Sequence, residues 1–189
     1  MDEVELAGNE LCLDFVNTVN TRPGPTRDWF DSAEGARTWA AAVGFDLDAA
    51  TVTAEVLADV KEFRERAHVV FRSLVDGVQP PADEVAWLRE RYARAVADGT
   101  LAPGGEGFAM SWAHVGPFEV LAHRIAESAF VLLTRGPLDR LGACPSCGWL
   151  FVDTSKNGRR RWCSMATCGA RDKARRHYRV KAGTQTPGQ

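Results

Sequence analysis

Apolar residues recur along the chain at helical spacing. In residues 9–20, Leu11, Cys12, Phe15, Val16 and Val19 share one face, and Glu10, Asp14 and Asn17 share another. Two prolines and a glycine make 21–28 a loop. A short helix is predicted over 32–43, stopped by Gly44. The clearest pattern covers 52–76, where Val56, Val60, Phe63, Ala67, Val70, Phe71 and Leu74 follow i, i+3/i+4 spacing up to Gly77. Pro80 and Pro81 open the next helix. Asp83 and Glu84 suit its positive N-terminal end, and Val85, Leu88, Tyr92 and Ala95 face inward. Residues 99–107 read as a glycine-rich loop and 108–114 as a strand. Pro117 opens a further helix with Phe118, Leu121, Ala122, Ile125, Ala129, Leu132 and Leu133 as its buried stripe, closed by Gly136 and Pro137. This pattern predicts a mainly α N-terminal domain with a little β.

Composition adds limits. The chain has 189 residues, 45% apolar and 25% charged, ordinary proportions for a packed globular protein. The longest apolar runs, 39–43 and 129–133, fall far short of the ~20 residues of a membrane span, so no membrane partner is expected. Residues 1–5 are acidic and show neither a basic nor an apolar leader segment, which favours the cytoplasm.

Charge is unevenly placed. Residues 1–141 hold 13 Lys and Arg against 23 Asp and Glu, a balance of −10. Residues 142–189 hold 10 against 2, a balance of +8. An acidic body thus carries a basic module suited to a polyanion. The boundary falls where composition changes, giving an α-rich domain over 1–138, a small module over 139–183 and a frayed tail over 184–189.

That module holds four of the five cysteines: Cys144, Cys147, Cys163 and Cys168. In a reducing compartment, clustered cysteines read as metal ligands rather than disulfides. Their two pairs, separated by fifteen residues, have the spacing of a zinc site. A short gap turns the chain back so that both sulfurs reach one ion. Four thiolates close a tetrahedron around Zn²⁺ and leave no open position, so one structural Zn²⁺ is expected and hydrolytic chemistry is not. The spacing fits neither ferredoxin pattern. Gly148 and Gly169, each just after a pair, suit tight backbone geometry. Trp149, Leu150, Phe151, Trp162 and Met165 are the candidates for a small core. Cys12, on an apolar helical face, reads as a buried thiol.

Between the pairs, Trp149 opens a strand-like run and Asn157-Gly158 is a hairpin-turn signal. The hairpin tip and returning strand would carry Lys156, Arg159, Arg160 and Arg161. From Gly169 to about Lys181 a helix is predicted, with Arg171, Arg175 and Arg179 in one row, Lys173 and His177 in a parallel row, and Arg176 beside them. Asp172 is the one acid after Asp153. Such a surface attracts phosphates, and Arg suits guanine edges, so double-stranded DNA is the expected partner. A merely solvated face is the alternative.

The module resembles the CGNR zinc finger, found in bacterial proteins described as transcriptional regulators. The resemblance rests on residues 144–157 (CPSCGWLFVDTSKN), 160–165 (RRWCSM) and 168–173 (CGARDK). The family's name comes from Cys-Gly-Asn-Arg, and Ala170 stands here at the Asn position. Residues 11–18 (LCLDFVNT) are similar to the opening motif of the ABATE domain, which precedes this finger and is associated with stress-induced transcription. The resemblance implies a treble-clef-like finger, a β-hairpin and a helix, on an N-terminal domain that senses a ligand, dimerises, or both.

In the body, Asp14, Asn17, Thr18 and Arg22 gather at the end of the ABATE-like motif. They read either as the lining of a small-effector pocket or as a helix cap and buried hydrogen-bond network. His68, His114 and His123 are scattered, and Gly104, Gly105 and Gly107 lack a preceding strand and read as a turn. No catalytic constellation emerges, and no enzymatic activity is expected. The expectation is a zinc-containing DNA-binding regulator. The alternative is a zinc-stabilised RNA- or protein-interaction module.

Overall fold

The computed structural model describes residues 3–22, 27–105 and 107–183, with side chains as far as His177. The expected tail at 184–189 and the side chain of Arg179 lie outside the described residues.

The long helices form where spacing and caps place them. Helix α1 spans Leu11–Val16, α2 Ala33–Ala42, α3 Ala54–Val75, α4 Ala82–Ala97 and α5 Pro117–Arg135. Ser32 Oγ accepts the Gly35 N–H at 3.0 Å, and Thr53 Oγ1 accepts the Val56 N–H at 3.3 Å. Pro117 takes the first position of α5, and Glu119 reaches back to the Gly116 N–H at 3.0 Å.

Two expectations about the N-terminal body need correction. Helix α1 covers only six residues, not 9–20. Thr18 Oγ1 returns its proton to Phe15 O, and the chain then turns so that Val19 bridges Asp28. The glycine-rich segment is a β-hairpin rather than a loop: β1 Thr100–Gly104 pairs antiparallel with β2 Gly107–Ser111. Both strands are open edges, which is where Gly and Pro103 are tolerated. A strand therefore does precede the glycines, and they form its turn, with Gly105 at φ 56°.

The main core is aromatic at its centre. Phe15 packs against Phe30, Trp39 and Phe63 with ring centroids 5.0–6.0 Å apart, all fully buried. Burying such rings from water drives the helices together. Arg64 is buried among them and chelates the Asp28 carboxylate through Nη1 and Nη2, with Nη2 2.8 Å from Oδ2.

The C-terminal module is a small β-hairpin followed by a helix. Strand β3 (Leu141–Ala143) pairs with β4 (Leu150–Val152), and Cys144–Cys147 forms the turn between them. The hairpin therefore lies one segment earlier than Asn157-Gly158 suggests. Residues 153–161 form a loop instead, because Asp153 accepts the N–H groups of Ser155 and Arg160 and curls the chain on itself. A π-turn over Met165–Gly169 leads into α6, Ala170–Gly183.

Strand β4 belongs to two cores. Alternation sends Leu150 and Val152 into the helical core and Phe151 into a second cluster with Ala7, Cys144, Cys163 and Cys168. Trp149 and Trp162 border that cluster, as expected, but Met165 is 72% exposed and takes no part in it.

Candidate metal centre and nucleic-acid interface

Each cysteine pair is positioned by backbone geometry. Gly148 N donates to Cys144 O and Cys144 N to Trp149 O, both at 2.8 Å, closing the first turn. Gly148 adopts φ 81°, a conformation that disfavours side chains. Gly169 has no such need, but a Cβ there would meet the Met165 sulfur at 3.1 Å. Ser164 Oγ caps the second turn by accepting the Thr167 N–H at 3.3 Å.

The four thiol sulfurs all lie within 4.8 Å of one another. A tetrahedron with roughly 2.3 Å metal–sulfur bonds has edges of about 3.8 Å, so the cluster matches one ion's coordination shell. Cys147 and Cys163 approach to 3.5 Å. The thiol hydrogen bond between them pulls Cys147 down to about 6 and pushes Cys163 up. Burial and then the Cys147 charge push Cys168 up to about 11. Crowded sulfurs thus resist ionising together, a conflict that a divalent cation removes. Cys12 stands apart: burial pushes its thiol up to about 12, so it stays protonated.

The basic residues separate into two groups. Lys156, Arg159, Arg161, Arg171, Lys173, Arg175, Arg176 and His177 are exposed. Arg160 is not part of that surface: its guanidinium donates to the carbonyls of Ala7, Trp162 and Cys163 and lies 4.3 Å over the Phe151 ring. It locks the loop to the N-terminal segment. Nothing in its sequence context separates it from Arg159 and Arg161; only the fold does. Arg175 donates to Ser146 Oγ at 3.1 Å, and Arg176 pairs with Asp172 at 3.1 Å. Ala170, at the family's Asn position, is exposed at the first position of α6.

The four body residues do not share one role. Asn17 is buried, and its side-chain amide exchanges two hydrogen bonds with the Leu150 backbone, donating to O at 2.8 Å and accepting from N at 2.9 Å. Asp14 accepts the Gly8 N–H at 2.7 Å, which fixes the segment whose Gly8 O accepts the Val152 N–H. Burial raises the Asp14 carboxyl above its usual range. Both residues therefore fasten the small module to the body. Thr18 and Arg22 belong to a different network: Arg64 donates to Thr18 Oγ1 and to Glu65, and Arg22 pairs with Glu65 at 3.1 Å.

Thr18 also lines a cavity of about 200 Å³ that the sequence did not reveal. It lies between the body and the thiol cluster, with Arg27, Trp29, Trp149, Arg171 and Glu5 in its walls. Its residues come from four separate stretches of chain, so no local pattern marks it.

No described helix is long and apolar enough to cross a membrane. A family model described as "Putative stress-induced transcription regulator", the ABATE family, matches residues 9–136, and the CGNR zinc-finger model matches residues 140–181. No curated protein matches the chain. The ABATE match spans well over half of the sequence, and the protein accordingly belongs to the ABATE family and carries a CGNR zinc finger C-terminal to that domain.

Proposed function

We propose that the protein is a non-enzymatic, cytoplasmic, DNA-binding transcriptional regulator with one structural Zn²⁺ held by Cys144, Cys147, Cys163 and Cys168. The observation that carries this reading is the exposed cationic surface of the finger. The two acids after Leu141 are already committed. Asp153 is buried under backbone N–H groups, and Asp172 is paired with Arg176. Lys156, Arg159, Arg161, Arg171, Lys173 and Arg175 are exposed, and none of them has an ion-pair partner among the described residues. Phosphate backbone neutralises such a surface and releases counterions. Residues on one face of α6, Arg171 and Arg175, suit a DNA groove.

The cavity between body and finger supports the effector half of the reading. Arg171 lines it, so a small molecule held there would compete with DNA for the same side chain. A second copy of the chain is the natural complement for a two-fold operator.

Titrating zinc-loaded protein onto labelled duplex DNA across a salt series tests the DNA claim. Affinity should fall linearly in log–log form, with a slope of about −0.9 per phosphate contact. Arg171→Ala and Arg175→Ala should each reduce that slope by about one. Absence of binding at low salt ends the claim. Elemental analysis should return one zinc per chain, and a metal-free purified protein would remove the structural ion from the account.

A further inference from the structure

The loop between the cysteine pairs forms, with Met165, a cleft of about 680 Å³. No carboxylate lines it. Lys156, Arg159 and Arg161 do line it, and none of the three has an ion-pair partner among the described residues. On α6, by contrast, Arg175 and Arg176 are already bonded. The middle of the loop is anchored, because Arg160 is tied to three backbone carbonyls. Three uncompensated cations thus stand on a fixed base.

Of the rest of the wall, Asn9, Thr154, Ser155 and Asn157 are polar, and Trp162 and Met165 make one apolar side. Trp162 and the 72%-exposed Met165 both line the cleft. The Arg161 guanidinium lies over the Trp162 ring, 4.6 Å from its centre, and Arg161 is exposed. Trp162 Nε1 is the one buried side-chain polar atom without a hydrogen-bond partner among the described residues. Inorganic phosphate alone would make no use of the apolar side. Bases stack on aromatic rings and guanidinium planes, but only when a duplex does not hide their faces.

We propose that this cleft binds an unpaired nucleotide, its phosphates on Lys156 and Arg159 and its base stacked beside Met165 against the Arg161–Trp162 pair. This rests on the nucleic-acid reading of the finger and adds a preference for a single-stranded step. The test compares zinc-loaded full-length protein on a blunt DNA duplex, on the same duplex with a DNA overhang, and on the same duplex with an RNA overhang. One or both overhangs should tighten binding on the order of tenfold, and the comparison identifies the strand. Met165→Ser, with metal content and circular dichroism as folding controls, should abolish that gain. Arg171→Ala should weaken all substrates while preserving their ratio. Equal affinity for blunt and overhang substrates overturns the cleft but leaves duplex binding intact. A gain that survives in Met165→Ser together with Arg161→Ala places the nucleotide elsewhere and also overturns it. Binding to no substrate rejects both readings.

Discussion

The helical body and the finger solve the same problem with different materials. The body buries Phe15, Phe30, Trp39 and Phe63 against one another, and α2, α3 and α5 carry their own N-terminal caps. The finger's own core is Phe151, Ala7 and three buried sulfurs, and Ala7 comes from the far end of the chain. A core this small does not stabilise a fold on its own. Two features take its place: the four-sulfur cluster, sized for one ion, and β4, which turns Leu150 and Val152 into the body's core. The arrangement also separates charge. The body stays acidic, while the finger concentrates cations on a frame whose own acids are used internally.

The comparison is tested hardest by removing the ion. Binding worth about 10–16 kcal/mol in zinc-finger peptides decides whether such a module folds. Chelation, or Cys147→Ser, should abolish nucleic-acid binding and ordered finger structure, read by gel shift and by tryptophan fluorescence. Most of the helical circular dichroism should persist, because α1–α5 do not use the metal. Complete loss of helix on chelation would show that the regions are not separable.

A second substitution attacks the body instead. Arg64 and Asp28 form a buried pair, with side chains 4% and 8% exposed. Removing the cation leaves a carboxylate without its partner, at a cost of about 3–5 kcal/mol. Arg64→Ala should lower the urea midpoint sharply while metal content stays at wild-type level. An unchanged midpoint would mean that the pair contributes nothing.

Much of this division is legible in sequence, for physical reasons. Long amphipathic helices announce themselves because spacing alone sorts residues by side, as in α3 and α5. Metal ligands announce themselves because short loops must return two sulfurs to one point. What stays hidden is what distant segments do together. The sequence offers a buried hydrogen-bond network as one reading of Asn17 but not its partner: the amide mimics a strand edge for Leu150, 133 residues away. Arg160 looked like its neighbours, yet it is spent on Ala7 O across 153 residues. The Asn157-Gly158 signal was real as a turn, but Asp153 decided what the turn connects. The hairpin over β1 and β2 was masked by its own glycines.

The seam itself can be loosened. Asn17→Ala leaves the Leu150 N–H and C=O without their buried partners, at about 1–3 kcal/mol for each group. Hydrogen exchange should accelerate in β3 and β4 more than in α3. Equal acceleration in both would mean that the finger and body open as one unit.

Acid should separate the two regions by degrees. In the finger, protons compete with the metal for four thiolates, so falling pH releases the ion first. In the body, burial alone would raise Asp28, but the Arg64 hydrogen bonds, the Phe30 N–H and the charges of Arg64 and Lys61 outweigh it and hold the carboxyl below its usual range. Glu65, flanked by Arg22 and Arg64, is likewise held low. A carboxyl depressed in the folded state contributes fully above its unfolded value, and that contribution disappears as pH falls through the folded one. The carboxyl contribution should therefore fade only below about 4. His68 acts earlier: burial and then the Arg22 charge hold its imidazole down to about 4, so it stays neutral in the folded body and withdraws its share as pH falls from about 6.5. Zinc release followed with a chromogenic chelator, alongside helical signal over the same pH series, reads both events. Coincident midpoints would contradict the picture of an apolar body carrying a metal-dependent finger.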